Sequence, residues 1–268
     1  MLNLLRMDLR HLYRSKSIYI CFGILAFTSV LTFGIFYILS NPEIQEFLLQ
    51  HGATITATSG EVKEVLGTTS LLSLYHQTNI SGGFFPVVIS ILMSLFICTD
   101  FDSGFIKNIM AVHENKWEYI LSKMASISVI NLMSLAGTYA ITLVLNLIFG
   151  NLFHYASAAD TLFYLFSVWM VTNGFCSLTL LICMITRSKA AGAASAFVLC
   201  SGLIVVILQS LLGLFGAGEI MNYSLYMNLA TCPLKYQGPE SLRQIIVSVV
   251  FFILYTVISK LILAKKDI

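Results

Sequence analysis

The residues of this 268-residue chain best suited to chemistry lie between Thr99 and Lys123, in the run TDFDSGFIKNIMAVHENKWEYILSK. It holds three lysines (Lys107, Lys116, Lys123) and four acids (Asp100, Asp102, Glu114, Glu118), between two long apolar runs. Such a segment stays at the water surface while both its ends enter a bilayer. Asp102 or Ser103 can cap a helix start, because a short side-chain oxygen accepts from a free first-turn N–H. Phe105, Ile109 and Val112 then recur at i, i+4, i+7 as one apolar stripe. Two readings follow. One is a solvated connector between spans. The other is a short amphipathic helix lying flat at the membrane that docks a soluble partner.

Other chemistries lack their residues. The histidines (His11, His51, His76, His113, His154) are scattered over loops expected on opposite sides of a membrane, with no base and orienting partner together. No catalytic residue is expected. There is no GxxxxGK[ST] loop, so the chain itself is not expected to bind ATP. No CxxC and no His/Cys cluster offers metal-ligand spacing, so no metal is expected. Cys21, Cys98, Cys176, Cys183 and Cys200 fall in apolar runs and only Cys232 in a polar loop, which leaves no pair for a disulfide framework. No ionisable residue sits in the middle of an apolar run, which disfavours a proton-coupled carrier or pump. Asn131, Asn146, Asn173 and Gln209 are uncharged polar groups inside those runs. Each is expected to hydrogen-bond between helices at about 0.6–2 kcal/mol, and Asn131, Asn173 and Gln209 are candidates to line a substrate path.

The elements that must position these groups are membrane spans. The chain is 57% hydrophobic and 10% charged, with mean hydropathy +0.86, where a soluble domain carries roughly 25% charged residues. The fold class is therefore all-α integral membrane, as one transmembrane domain over residues 1–268. A net charge of +2 does not suggest nucleic acid. Residues 1–16 read as an interfacial amphipathic helix. Leu2, Leu5, Leu9 and Leu12 share one face, while Arg6, Arg10 and Arg14 share another and reach for anionic lipid headgroups. Six spans are expected at about 18–39, 83–99, 124–149, 161–185, 191–215 and 244–263, each near the ~20 residues a bilayer needs. The segments 40–83 and 216–243 are the long loops between them. Gly192 and Ala196 form a small-xxx-small pair that suits close helix packing within the chain or a dimer face.

Orientation follows from Lys and Arg. Arg6, Arg10, Arg14, Lys16, Lys107, Lys116, Lys123, Arg187, Lys189, Lys260, Lys265 and Lys266 fall on one side, which is 12 of 15; Lys63, Lys235 and Arg243 fall on the other. Both termini and the 100–123 segment are therefore expected in the cytoplasm, with 40–83 and 216–243 extracellular.

Laid out this way, the chain resembles an ABC-2 type ABC transporter permease of the Gram-positive bacteriocin, lantibiotic and bacitracin-exporting kind. The likeness covers the whole chain. Its most specific parts are Asp102-Ser103-Gly104-Phe105-Ile106-Lys107 and Tyr119-Ile120-Leu121-Ser122-Lys123. In that family an acid–x–Gly–x–apolar–basic pattern opens the coupling helix between spans two and three. Here Asp replaces the commoner Glu, and the Pro often found between the two halves is missing.

The resemblance implies an ATPase-coupling role for Asp102, Gly104, Phe105, Ile106, Lys107, Ile109 and Val112. It implies ATP and Mg on a separate ABC ATPase subunit and none on this chain. It further implies a second permease subunit, identical or different, and export of an amphipathic peptide or hydrophobic small molecule across a bacterial plasma membrane, with a role in bacteriocin immunity. A non-transporting scaffold or sensor subunit, and a secondary carrier or channel, are the alternatives from other classes.

Overall fold

The computed structural model describes residues 2–51, 59–107 and 116–265. These residues form helices joined by short connections. The helices are α1 (Leu2–Arg14), α2 (Lys16–Ser40), α3 (Pro42–Gln50), α4 (Ser59–Thr68), α5 (Leu71–Tyr75), α6 (Phe84–Asp102), α7 (Lys116–Ile148), α8 (Ala158–Thr186), α9 (Lys189–Cys200), α10 (Leu203–Gly213), α11 (Leu225–Ala230) and α12 (Arg243–Lys265). Ser15, Asn41, Ser70, Ser157, Ser188 and Ser224 each cap the helix that follows by accepting a first-turn N–H.

Among the described residues, five helices are long and apolar enough to cross a membrane: Lys16–Ser40, Phe84–Asp102, Lys116–Ile148, Ala158–Thr186 and Pro239–Lys265. The expected fifth span, 191–215, is not one straight helix. It is the pair α9 and α10, bent by 50° at Ser201-Gly202, and it makes a sixth crossing only if the pair counts as one broken span. The break has a local cause. Gly202 has φ +78°, a conformation that only glycine adopts without strain, and a Cβ there would run into the ring of Tyr226. Glycine both permits the turn and lets the aromatic ring close over it.

The centre of the bundle is α8, which packs along α12 and against α6, α9 and α7; α1 and α2 lie on α7. The main core joins side chains of α1, α2, α6, α7, α8 and α9. A second, smaller cluster of Phe33, Leu66, Leu71, Leu74 and Phe153 seals the far end, where α4 and α5 fold over α2 and α7. Leu71 N–H donates to the His154 carbonyl at 2.8 Å and fixes that cap to the α7–α8 connection. His76 ties the same end to α11. Its Nε2 lies 3.1 Å from the Ala230 carbonyl and its Nδ1 2.9 Å from the Tyr164 hydroxyl. Only a donor suits a carbonyl, so Nε2 carries the proton and Nδ1 accepts from Tyr164. Burial holds this imidazole below its ordinary pKa of 6.5.

Candidate functional site

Three helices meet at one end of the bundle around a buried ammonium. Lys123 Nζ lies 2.8 Å from Asp8 Oδ1 and 2.7 Å from Asp100 Oδ2. Exposure is 0% for Lys123, 1% for Asp8 and 2% for Asp100. Ser122 Oγ donates to the second Asp8 oxygen at 2.6 Å, and Tyr119 OH donates to Asp100 Oδ2 at 3.0 Å. The Phe96 ring stands 3.9 Å from the ammonium. Two carboxylates, two hydroxyl donors and an aromatic face replace the hydration these charges give up. Such a pair adds little against an apolar alternative, but stripping one partner costs about 3–5 kcal/mol because an uncompensated charge stays buried.

The expectation that Asp100 and Lys123 are water-surface charges is corrected here, as both point inward. α7 also begins at Lys116 and not near residue 124. Its 33 residues span about 50 Å at 1.5 Å per residue, well beyond the ~30 Å hydrocarbon core. Lys123 is seven residues into that overshoot, about 10 Å from the helix start. The cluster therefore sits at the foot of the spans, not at their middle.

The same end gathers the other helices. Asp102, expected to open a helix, is instead the last residue of α6 and pairs with Lys189 at 2.8 Å, half exposed. Arg187 lies 5.5 Å from the Phe101 ring. Together they hold the foot of α6 to the turn between α8 and α9. Lys116 Nζ donates to the carbonyls of Leu263 and Ala264 at 3.2 and 3.3 Å, capping the end of α12, and Lys260 lies over the Trp117 ring at 5.5 Å.

From this node the chain leaves toward residue 108. Gly104, at φ +67°, ends α6 in the left-handed conformation, with its N–H on the Phe101 carbonyl at 3.1 Å. Ser103 Oγ accepts from Phe105 N–H at 3.4 Å, and Lys107 N–H donates to the Gly104 carbonyl at 3.1 Å. Phe105 packs half-buried against the core, Ile106 is buried and Lys107 is exposed. Met7, Asp8, His11, Thr99, Asp100 and Phe105 enclose a cavity of about 360 Å³ beside the ion cluster. Ile109 and Val112 lie outside the described residues. Ile106 is thus not free to face a partner, and Phe105 spends most of its surface on its own chain.

On α1 the buried stripe is Leu4, Asp8 and Leu12. Leu5 and Leu9 are half-buried, and the side chain of Leu2 lies outside the described set. Arg6, Arg10 and Arg14 are exposed and edge an open concavity with Tyr13. Sequence reasoning missed Asp8; the signal was an acid at the i+4 position between two leucines of a basic helix.

Gly192 and Ala196 are both buried within the chain, and a Cβ on Gly192 would strike Ser94 Oγ and Cys183 Sγ. That face is filled from inside and offers no surface to a second subunit. Asn131 and Asn173 hydrogen-bond to each other between α7 and α8, with Asn131 Nδ2 donating to Asn173 Oδ1 at 3.0 Å. Gln209 stands apart on α10. All six cysteines are free and buried, including Cys232, whose thiol burial pushes up to about 12. Among the described residues no group of three or more His, Cys, Asp or Glu side chains is placed to hold a metal.

The family model for ABC-2 family transporter proteins matches residues 4–206. The chain belongs to the ABC-2 family. It is the membrane-embedded, multi-pass permease component of an ABC transporter. The match takes in nearly all of α1, the ion cluster and α6 through α9, and stops short of α12, whose end Lys116 caps. Family membership implies an ABC ATPase as partner and, usually, a dimeric arrangement of permeases. No curated protein matches the chain.

Proposed function

We propose that this ABC-2 permease works in a bacterial plasma membrane with both termini in the cytoplasm. In this reading two permease subunits and two ATPase subunits export an amphipathic peptide or lipophilic antibiotic, as in bacteriocin export or self-protection. The segment that follows Gly104 is the coupling element that meets the ATPase, and ATP and Mg stay on that partner.

One observation carries the reading. The chain between α6 and α7 departs from and returns to a node where α1, α6, α7, α9 and α12 are all tied. A push on this segment reaches Asp100 at one end and Lys116 through Lys123 at the other. The buried ion cluster resists separation, so the push moves the feet of several spans together instead of bending one loop. The twelve-to-three bias of Lys and Arg supports a cytoplasmic position for this end, where an ATPase can reach it. The cargo class rests on the aromatic and methionine content of the chain, 19 Phe, 12 Tyr and 10 Met, which suits varied apolar shapes. Exposed Arg6, Arg10 and Arg14 on α1 suit anionic headgroups.

The test is cysteine labelling in intact cells joined to ATPase recovery. The native thiols are buried, so introduced ones report alone. Lys235→Cys is expected to react with an impermeant maleimide and Lys107→Cys only after permeabilisation. The ATPase is expected to co-purify from the same detergent extract. Equal labelling of both positions in intact cells, or no ATPase in the extract, would overturn the reading.

A further inference from the structure

α1 carries its positive charge on an open face. Arg6, Arg10 and Arg14 are exposed and line a trough along the helix, with no acidic side chain in its lining. Each step of four residues is about 6 Å along the axis, so neighbouring guanidinium groups can close on one phosphate. Among the described residues no ion pair holds any of the three. The trough reaches Tyr13.

Tyr13 also lines a second cavity, a groove of about 240 Å³ between α2 and α7. Ile18, Phe22, Ile130, Met133 and Gly137 form it, Tyr19 stands at its edge, and no charged side chain lines it. Tyr13 OH donates to Met133 Sδ on α7, and Tyr19 OH on α2 donates to the Tyr13 carbonyl at 2.9 Å. These contacts fix the junction of trough and groove. A Cβ on Gly137 would strike the Phe22 ring, so α2 closes there on the bare backbone of α7. Tyr13, Tyr19 and Met133 are 40%, 65% and 51% exposed, which leaves the groove open to lipid along its side.

The two cavities also follow each other in height. Asp8, between Arg6 and Arg10 in sequence, sits on Lys123 at the foot of the spans. Ile130 to Gly137 lie about 10–20 Å further up α7 at 1.5 Å per residue. Arginines, tyrosines and apolar groove thus succeed one another from the foot toward the middle of the bundle. Headgroup, interface and acyl chain have the same order in one leaflet.

We propose that trough and groove form one site for an anionic phospholipid, with its phosphate on Arg6, Arg10 and Arg14 and one acyl chain laid between α2 and α7. Guanidinium groups grip phosphate oxygens in pairs. A zwitterionic lipid would bring its own ammonium against three arginines, and a soluble anion would leave the groove empty. The bound lipid ties α1 to α2 and α7, and through Asp8 it steadies the ion cluster. The inference rests on the headgroup role given to α1 above and needs neither the cargo nor the ATPase.

The experiment uses the full chain in lipid nanodiscs. The probes are phosphatidylglycerol and phosphatidylcholine with the same photoreactive acyl chain. Adducts are mapped by mass spectrometry, and unfolding temperatures confirm that variants are folded. The readout is the ratio of the two lipids on the peptide holding Phe22, compared with the ratio on the lipid-facing residues Val250 and Ile253 of α12. Phosphatidylglycerol is expected to be preferred at Phe22 and not at α12. Arg10→Gln should lower that preference about fivefold, the weight of one arginine at an anionic surface. Replacing all three arginines with Gln should abolish it. Met133→Trp, which fills the groove from its exposed side, should remove the adducts at Phe22. Equal ratios at Phe22 and α12, or a preference unmoved by the triple variant, would overturn the site and the headgroup role with it. A preference lost with the arginines but adducts unchanged in Met133→Trp would leave the headgroup role and overturn the chain's seat. Displacement by excess inorganic phosphate at fixed ionic strength would assign the trough to a soluble anion and overturn the lipid.

Discussion

Lys123 and Asp8 are 115 residues apart in sequence and 2.8 Å apart in space. Their contact binds the N-terminal helix to the foot of α7, and Asp100 on the same ammonium brings in α6. A buried charge that must keep both partners is a joint the chain cannot loosen gradually.

Lys123→Met should therefore lower stability by about 3–5 kcal/mol, since it leaves Asp8 and Asp100 buried and unpaired. Asp8→Asn should cost less, because Lys123 keeps Asp100 and the amide oxygen can still accept from Ser122. Thermal unfolding in detergent ranks the two. Wild-type unfolding temperature in Lys123→Met would show that the cluster holds nothing together.

Gly104→Ala places a side chain at φ +67°, where a Cβ meets no neighbour, so the cost is backbone strain alone. About 1 kcal/mol is expected. Gly104→Asn should be milder, because Asn tolerates this conformation. Unfolding temperatures of the two variants check the order, and a Gly104→Ala protein as stable as wild type would contradict the helix-end geometry.

His76 makes the far end of the bundle sensitive to acid. Its folded pKa lies below the ordinary 6.5 because burial disfavours the charged ring. The unfolded chain therefore takes up a proton first as pH falls. Stability is complete above about pH 6.5 and declines as pH drops through that value. Protonation would also end the acceptance from Tyr164 at Nδ1. Proteolysis of the 59–83 cap at pH 7.5 and 5.5 should show faster cutting in acid, and His76→Gln should remove much of the difference.

Gly192→Leu should destabilise the single subunit by forcing apart Ser94 and Cys183. The expected result is poor recovery of folded monomer, whether or not a partner subunit is present. Normal monomer with lost dimer would return this face to a subunit contact.

The long apolar runs made the spanning helices legible, since α2 runs Lys16–Ser40 where the pattern places a span at 18–39. The ends were harder. α7 starts eight residues before the expected 124, because Lys116, Glu118 and Lys123 break the hydropathy signal without breaking the helix. Gly202 stood in the sequence as one more small residue, and its left-handed turn shows only once Tyr226 is seen against it. The site was half legible. The charged run 100–123 marked the region, and the left-handed conformation of Gly104 shows only in the structure. The partner of Lys123 was not legible, because no local spacing relates position 8 to position 123. Asn131 and Asn173 were seen as polar groups within spans, but their bond to each other and the unpaired Asn131 Oδ1 appear only in three dimensions.

The central claim is that the chain leaving Gly104 faces the ATPase. Lys107 is the exposed residue of that exit. A photoreactive benzoylphenylalanine in place of Lys107 touches no core contact, and the same group in place of Lys235 marks the opposite face. Irradiation of the intact complex should give a permease–ATPase adduct from position 107 and none from position 235. Absence of the adduct at 107, or an equal yield at 235, would contradict the account.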